Sequence, residues 1–122
     1  MSELDERIEL LSTCGFVDES GKRDLETIAR ILTEKCGVDE DDEVLGTLVT
    51  HVAAALKRAR DGEKINPLSA DIVDDVKASP VYLEAARIQG ELLEAMENDL
   101  SDDEKDFVLV HVGGLLMSQA TE

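Results

Sequence analysis

The sequence is poor in aromatic residues, proline and cysteine, and each shortage restricts the fold. It has one tyrosine, two phenylalanines and no tryptophan, so the 43% of hydrophobic residues must form a largely aliphatic core. Two prolines in 122 residues, with abundant Leu, Ala, Glu and Asp, favour helices over a sheet. Neither Cys14 nor Cys36 belongs to a CxxC pair, which argues against a zinc site or a disulfide framework. We therefore expect a single helical domain with reduced thiols.

Basic residues are also scarce, and no long hydrophobic run is present. Only 12 Lys and Arg stand against 29 Asp and Glu, which gives a net charge of −17. A chain this acidic repels phosphate backbones, so direct binding to nucleic acid is not expected. No apolar run approaches the roughly 20 residues that cross a bilayer, and no signal-peptide pattern occurs. These features predict a cytoplasmic protein without a membrane segment.

Apolar residues recur at helical spacing along the chain, and strand-like alternation is absent. The pattern predicts helices over about residues 2–13, 22–36 and 42–60. A linker over residues 61–68 then precedes a short helix capped by Ser69. Pro80 is expected to open a longer helix that ends near Glu97. A capping box at residues 101–104 starts the last helix, which ends near Gln119. The sequence thus predicts an all-α bundle.

Histidine is rare as well, and the first of the two histidines lies on the helix over residues 42–60. His51 flanks the apolar stripe of that helix, which is formed by Leu45, Leu48, Val49, Val52, Leu56 and Ala59. Arg58, seven residues later, returns to nearly the same direction and could pair with an anion on the imidazole. A polar boundary residue without chemistry is the alternative for His51.

The second histidine, His111, lies in the apolar run "FVLVHVGGLLM". Glu104, seven residues earlier, shares its helix face. Gly113 and Gly114 lower helix stability, so we expect another helix to approach closely there. His111 could equally be a satisfied core residue. The sequence has no HxxxH or HxxE spacing, nucleophile motif or glycine-rich phosphate loop, so we expect neither a metal site nor an enzyme.

The two histidines and the residues around them, taken in their order along the chain, resemble the PTS regulation domain (PRD). That domain occurs in bacterial antiterminators and activators controlled by the phosphoenolpyruvate-dependent sugar phosphotransferase system. The resemblance covers about residues 24–118. It rests on four features in order: His51 with Arg58, the turn Asn66-Pro67, Tyr82 with Ala85 and Ala86, and Glu104 with His111.

The resemblance implies a compact, often dimeric bundle of five helices, here residues 21–120, preceded by a helical extension over residues 1–20. It implies that His51 and His111 accept phosphoryl groups from the phosphocarrier HPr or from a IIB component of a sugar permease. No cofactor is implied. It implies that Arg58 and Glu104 are charge partners of the phosphorylation site. It also implies that Asn66, Pro67 and Tyr82 are structural residues of the family motif. We expect a stand-alone domain that controls transcription, or another protein, indirectly through a partner.

Two functions stay open. The first is a phosphorylation-responsive regulatory domain, and the second is a constitutive interaction or dimerisation module that keeps only the fold. The only net-basic stretch contains Lys57, Arg58, Arg60 and Lys64. It could complement the helix dipole at the end of its helix, or it could be a docking edge for a phosphorylated carrier.

Overall fold

The structure is a computed structural model that describes residues 3–63 and 69–120, with side chains through residue 118. This part of the chain contains six α-helices and no strand. A π-helical turn, Ile31–Lys35, prolongs the second helix. The α-helices are α1 (Glu3–Thr13), α2 (Glu19–Arg30), α3 (Glu43–Asp61), α4 (Ala70–Lys77), α5 (Tyr82–Ala95) and α6 (Asp102–Ala120). The predicted all-α bundle, with an additional N-terminal helix, is confirmed.

Capping side chains decide where several helices begin. The carboxylate of Asp18 accepts a hydrogen bond from the Gly21 backbone N–H at 2.8 Å. The sequence predicted a start at Lys22. Because the Asp18 cap lies before the apolar pattern, α2 begins earlier, at Glu19. Asp42 caps α3 in the same way, through bonds of 2.8 and 3.1 Å to two backbone N–H groups. Ser69 caps α4, as expected.

Helix α5 is shorter at both ends than predicted. Pro80 does not open it, because residues 80 and 81 lie in a turn and the helix begins at Tyr82. It also ends two residues before Glu97. The buried Asp24 carboxylate on α2 accepts bonds from the backbone N–H groups of Glu97 at 2.7 Å and Asn98 at 3.2 Å. These bonds hold the chain outside the helix at this point.

Helix α3 lies within the bundle and packs against α2 and α6, and α5 also contacts both of these helices. The core is aliphatic, as predicted, and its fully buried large side chains are Leu25, Ile28, Leu32, Leu45, Leu48, Val49, Val52, Ile88, Leu92, Val108, Val112 and Leu115. Ala59 is exposed, so its predicted place in the core was wrong. The buried stripe of α3 ends at Leu56, one turn before the helix ends.

Two peripheral helices complete the bundle. Helix α1 packs on α2 and buries Leu4 and Ile8. Helix α4 has no buried residue and packs on α6. A Cβ atom placed on Gly113 would lie only 3.3 Å from the Val76 side chain of α4. The glycine therefore permits the close approach expected from the sequence. None of the described helices combines the length and the apolar character that a bilayer span requires.

Candidate functional site: a stacked histidine pair

The packing of α3 on α6 brings the two histidines together. The ring centroids of His51 and His111 lie 4.9 Å apart, with an angle of 27° between the ring planes. Both side chains are half-buried. Each histidine lies near the middle of its helix, so two long and well-packed elements hold its position. The pair is therefore a rigid feature of the bundle.

Phe107 extends the stack on α6. Its ring lies 4.8 Å from the His51 ring, at an angle of 18°, and 6.4 Å from the His111 ring. Such contacts between flat rings add to the energy of burial and restrict ring orientation. The sequence did not single out Phe107 for this role. Its position one helical turn before His111 was the available signal, because residues four apart share a helix face.

The two predicted charge partners bind each other. The Arg58 guanidinium on α3 donates bonds of 3.0 to 3.2 Å to both carboxylate oxygens of Glu104 on α6. Glu104 is 5% exposed. A bidentate pair between charged groups is stronger and more directional than an ordinary hydrogen bond. The Arg58 guanidinium is thus already bound to a carboxylate beside the histidines.

The predicted capping box at the start of α6 forms only in part. The Ser101 hydroxyl accepts a bond from the Glu104 backbone N–H at 3.3 Å. The Glu104 carboxylate binds Arg58 instead of returning to the Ser101 N–H. Its position in the first turn of α6 further stabilises the negative charge, because the helix dipole is positive there.

His51 is held in its neutral form. Its Nε2 atom is buried and has no hydrogen-bond partner in the described part of the chain. Burial, the neighbouring His111 and the positive Arg58, in that order, lower the pKa of His51 from 6.5 to about 4. Glu104 Oε1 lies 3.9 Å from Nε2 and would act in the opposite direction. Because Arg58 neutralises that carboxylate, we take the lowering to dominate, and His51 is uncharged at neutral pH.

The hydrogen bond of His111 fixes which nitrogen carries the lone pair. Its Nδ1 atom lies 2.7 Å from the carbonyl oxygen of Phe107. A carbonyl oxygen only accepts, so Nδ1 must donate a proton to it. In the neutral ring, Nε2 then carries the free lone pair and is the nucleophilic atom.

An open surface groove of about 400 Å³ exposes part of both histidines. Arg7, Thr47, Thr50 and Ala54 line it beside His51 and His111. The sequence did not predict these residues as part of the site. Thr47, one turn before His51, could have been found from helical spacing. No sequence signal connects Arg7 to the pair, because it comes from α1.

Other residues of the resemblance lie elsewhere. Tyr82 is half-buried at the start of α5 and packs against the core. Within the described residues, it does not line the histidine groove. Asn66 and Pro67 lie outside the residues that the structure describes. No group of three or more His, Cys, Asp or Glu side chains in the described ranges could hold a metal ion.

The basic stretch at the end of α3 is engaged within the chain. Lys57 pairs with Asp61 at 2.8 Å. The Arg60 guanidinium donates to two backbone carbonyls in the loop between α1 and α2, both at 3.3 Å. Arg58 binds Glu104, and Lys64 lies outside the described residues. The described members therefore have structural roles.

Comparison with known protein families identifies one family for this chain. The family model of the PRD domain matches residues 26–115, which include both histidines. The chain is 24% identical over 119 residues to the "Uncharacterized protein YhfY" of Escherichia coli (strain K12), over 98% of this chain and 99% of that protein. No solved structure matches the chain. Because the family model matches well over half of the sequence, this chain belongs to the PRD domain family.

Proposed function

We propose that this PRD domain accepts phosphoryl groups on His51 or His111 and reports the state of the bacterial sugar phosphotransferase system to a partner protein. The observation that carries the proposal is the stacked pair of imidazoles at an open groove. The groove is wide enough for a protruding side chain of a donor protein to approach. HPr or a IIB component would be that donor.

The neutral form of His51 and the hydrogen bond of His111 suit an acceptor of phosphoryl groups. A neutral imidazole has a lone pair that can attack phosphorus, whereas an imidazolium does not. The low pKa of His51 keeps it neutral at pH 7. On His111, the Nδ1 bond to Phe107 leaves Nε2 as the attacking atom. A bond forms between this nitrogen and phosphorus. The bond from phosphorus to the carrier breaks, and its electron pair stays with the carrier.

The acquired charge would act on the contact between α3 and α6. A phosphorylated side chain carries about −1.5 to −2 charges at pH 7. Here that charge would arise next to the Arg58–Glu104 pair, which joins the two helices. A dianion beside the pair repels the Glu104 carboxylate and attracts the Arg58 guanidinium. Phosphorylation would therefore change the energy of this helix contact, which gives a partner protein a difference to detect.

Phosphotransfer in vitro tests the proposal. The chain is incubated with phosphoenolpyruvate, enzyme I, HPr and a candidate IIB component, and its intact mass is measured. We expect an acid-labile gain of one or two phosphoryl groups on the wild type, and a reduced gain on His51→Gln or His111→Gln. The double variant contains no histidine and is the negative control. No gain with any of these donors would contradict the proposal and favour the constitutive interaction module.

A further inference from the structure

We propose that Arg7, on the N-terminal helix outside the residues matched by the family model, binds the phosphoryl group once it is on the histidine pair. This inference rests on the proposed function and assigns a partner to the same site. It gives α1 a role in the chemistry of the domain. Arg58, which the resemblance implied as the charge partner, would instead hold Glu104 beside His51.

The position of Arg7 supports this role. Its Nη1 atom reaches across α3 and donates to the Thr50 hydroxyl at 3.1 Å, next to His51 in the chain. Thr50 in turn donates to the Gly46 carbonyl oxygen at 2.9 Å, which fixes its hydroxyl as an acceptor for Arg7. The Arg7 side chain lines the same groove as both imidazoles. One guanidinium is thus held in the groove that both histidines line.

Gly46 makes room for this arrangement. A Cβ atom at position 46 would lie 3.0 Å from Arg7 Nη1 and 3.5 Å from the central guanidinium carbon. The glycine stands within α3, where it costs roughly 1 kcal/mol of helix stability relative to alanine. Because glycine has no side chain, the Arg7 guanidinium can lie close to the backbone of α3 at this point. A larger residue would push the Arg7 side chain away.

The existing bonds of Arg58 and Arg7 indicate which of the two is available to bind a phosphoryl group. Arg58 already forms a bidentate ion pair with the buried Glu104. In the described ranges, Arg7 forms no ion pair, and its hydrogen bond goes to a neutral hydroxyl. A guanidinium has five N–H donors, so most of those on Arg7 stay available for phosphate oxygens. Binding a phosphoryl group therefore costs Arg7 no existing charge pair.

Acidic residues on the other side of Arg7 oppose this binding. Five acidic residues line a neighbouring groove that Arg7 also borders: Glu3, Glu40, Asp41, Asp42 and Glu43. Their fields act through solvent and are screened with distance. A charge-assisted bond between the guanidinium and a phosphate oxygen forms at contact distance and is bidentate where geometry allows. We expect the direct contact to outweigh the screened repulsion between these carboxylates and the phosphoryl group.

The test uses 31P NMR on the phosphorylated 122-residue chain. Phosphoramidate, a small-molecule donor, phosphorylates the histidines without a carrier protein. The second ionisation of a phosphorylated side chain has a pKa of about 6. A bound guanidinium stabilises the dianion, so this pKa should be about one unit lower in the wild type than in Arg7→Gln. Arg7→Lys should give an intermediate pKa, because lysine keeps the charge but lacks the paired N–H donors of a guanidinium.

Two further variants distinguish a direct contact between Arg7 and the phosphoryl group from an effect of the net charge of the protein. Arg30→Gln makes the same change of charge on an exposed part of α2 and should titrate like the wild type. Gly46→Ala keeps every charge and obliges the Arg7 guanidinium to shift by a few tenths of an ångström, so it should raise the phosphoryl pKa part of the way towards that of Arg7→Gln. It also keeps the test informative if Arg7→Gln fails to fold.

The outcomes distinguish this inference from the proposed function. Equal phosphoryl pKa values in the wild type, Arg7→Gln and Gly46→Ala would overturn the role of Arg7. A shift in Arg30→Gln as large as that in Arg7→Gln would overturn it too. If phosphoramidate gives the expected shifts while every protein donor fails, Arg7 binds phosphate but the proposed function is wrong. If neither histidine accepts a phosphoryl group from phosphoramidate or from any protein donor, both ideas fail.

Discussion

His51 carries no charge at neutral pH because the folded chain makes its protonation costly. Its side chain is 17% exposed, and His111 and the Arg58 guanidinium stand nearby. The carboxylate that could offset these effects is already engaged by Arg58. The same surroundings that keep the imidazole nucleophilic also make the folded state sensitive to acid.

Acidification should therefore destabilise the wild type partly through His51. Folding lowers its pKa from 6.5 to about 4, so between these pH values the unfolded chain binds a proton that the folded chain does not. The titration of His51 therefore has little effect on the free energy of unfolding above pH 6.5, and it lowers this free energy as the pH falls towards 4. At pH 5 the expected loss is about 2 kcal/mol, from the difference in proton binding between the two states.

Chemical denaturation at pH 7 and pH 5 measures this effect. The wild type should lose about 2 kcal/mol more than His51→Asn between the two pH values, because asparagine does not titrate. The titrating groups remote from position 51 are common to both proteins and cancel in the comparison. Equal losses in the two proteins, or an NMR titration of His51 with its midpoint near 6.5, would show that the imidazole is not held neutral in this way.

At the scale of helices, two arginine–glutamate pairs join elements that are distant in sequence. Arg58 on α3 binds Glu104 on α6, with side chains 24% and 6% exposed. Arg23 on α2 binds Glu97 in the segment after α5, with side chains 55% and 49% exposed. Both pairs have bidentate geometry. They differ mainly in burial, so they form a matched comparison.

Replacing the glutamate should destabilise the fold far more at the buried pair. Glu104→Gln leaves the Arg58 charge between two helices without its counter-charge, which should cost about 2 to 4 kcal/mol. Glu97→Gln should cost far less, because exposed ion pairs contribute little to stability. The free energies of unfolding, from urea titrations at pH 7, test this difference. Similar costs for both variants would refute the structural importance of the buried pair.

The helices could be predicted from the sequence because their apolar periodicity is local. Their boundaries were less accurate where side chains decide them. Asp18 starts α2 early, and the contact of Asp24 with the segment after α5 spans distant parts of the chain. No periodicity reports such a contact, so the end of α5 could not be read from its own residues.

The candidate site could be predicted only in part, for the same reason. Residues on one helix were accessible from spacing, and His51 with Arg58 was found in this way. The mutual pairing of Arg58 and Glu104 depends on how α3 packs on α6. The presence of Arg7 in the groove depends on how its side chain reaches from α1 to Gly46 on α3. Both are tertiary contacts that helical spacing does not encode.

The whole molecule is an acidic bundle whose family match, residues 26–115, leaves α1 outside. Its net charge of −17 favours a protein partner over nucleic acid. The homodimer and the donors HPr and IIB stay predictions. Part of the argument for a dimer came from the glycine pair on α6, and within the chain α4 already covers Gly113. Gly114 and Met117 are still exposed on that helix.

The central claim is that the stacked histidines accept phosphoryl groups. Fragmentation mass spectrometry of the chain, after transfer from phosphorylated HPr or IIB and without acid treatment, tests it most directly. We predict that the phosphoryl group is found on a fragment containing His51 or His111, and that it is absent from the double His→Gln variant. A phosphoryl group on any other residue, or none on the wild type while a known acceptor is phosphorylated in the same mixture, would contradict the claim.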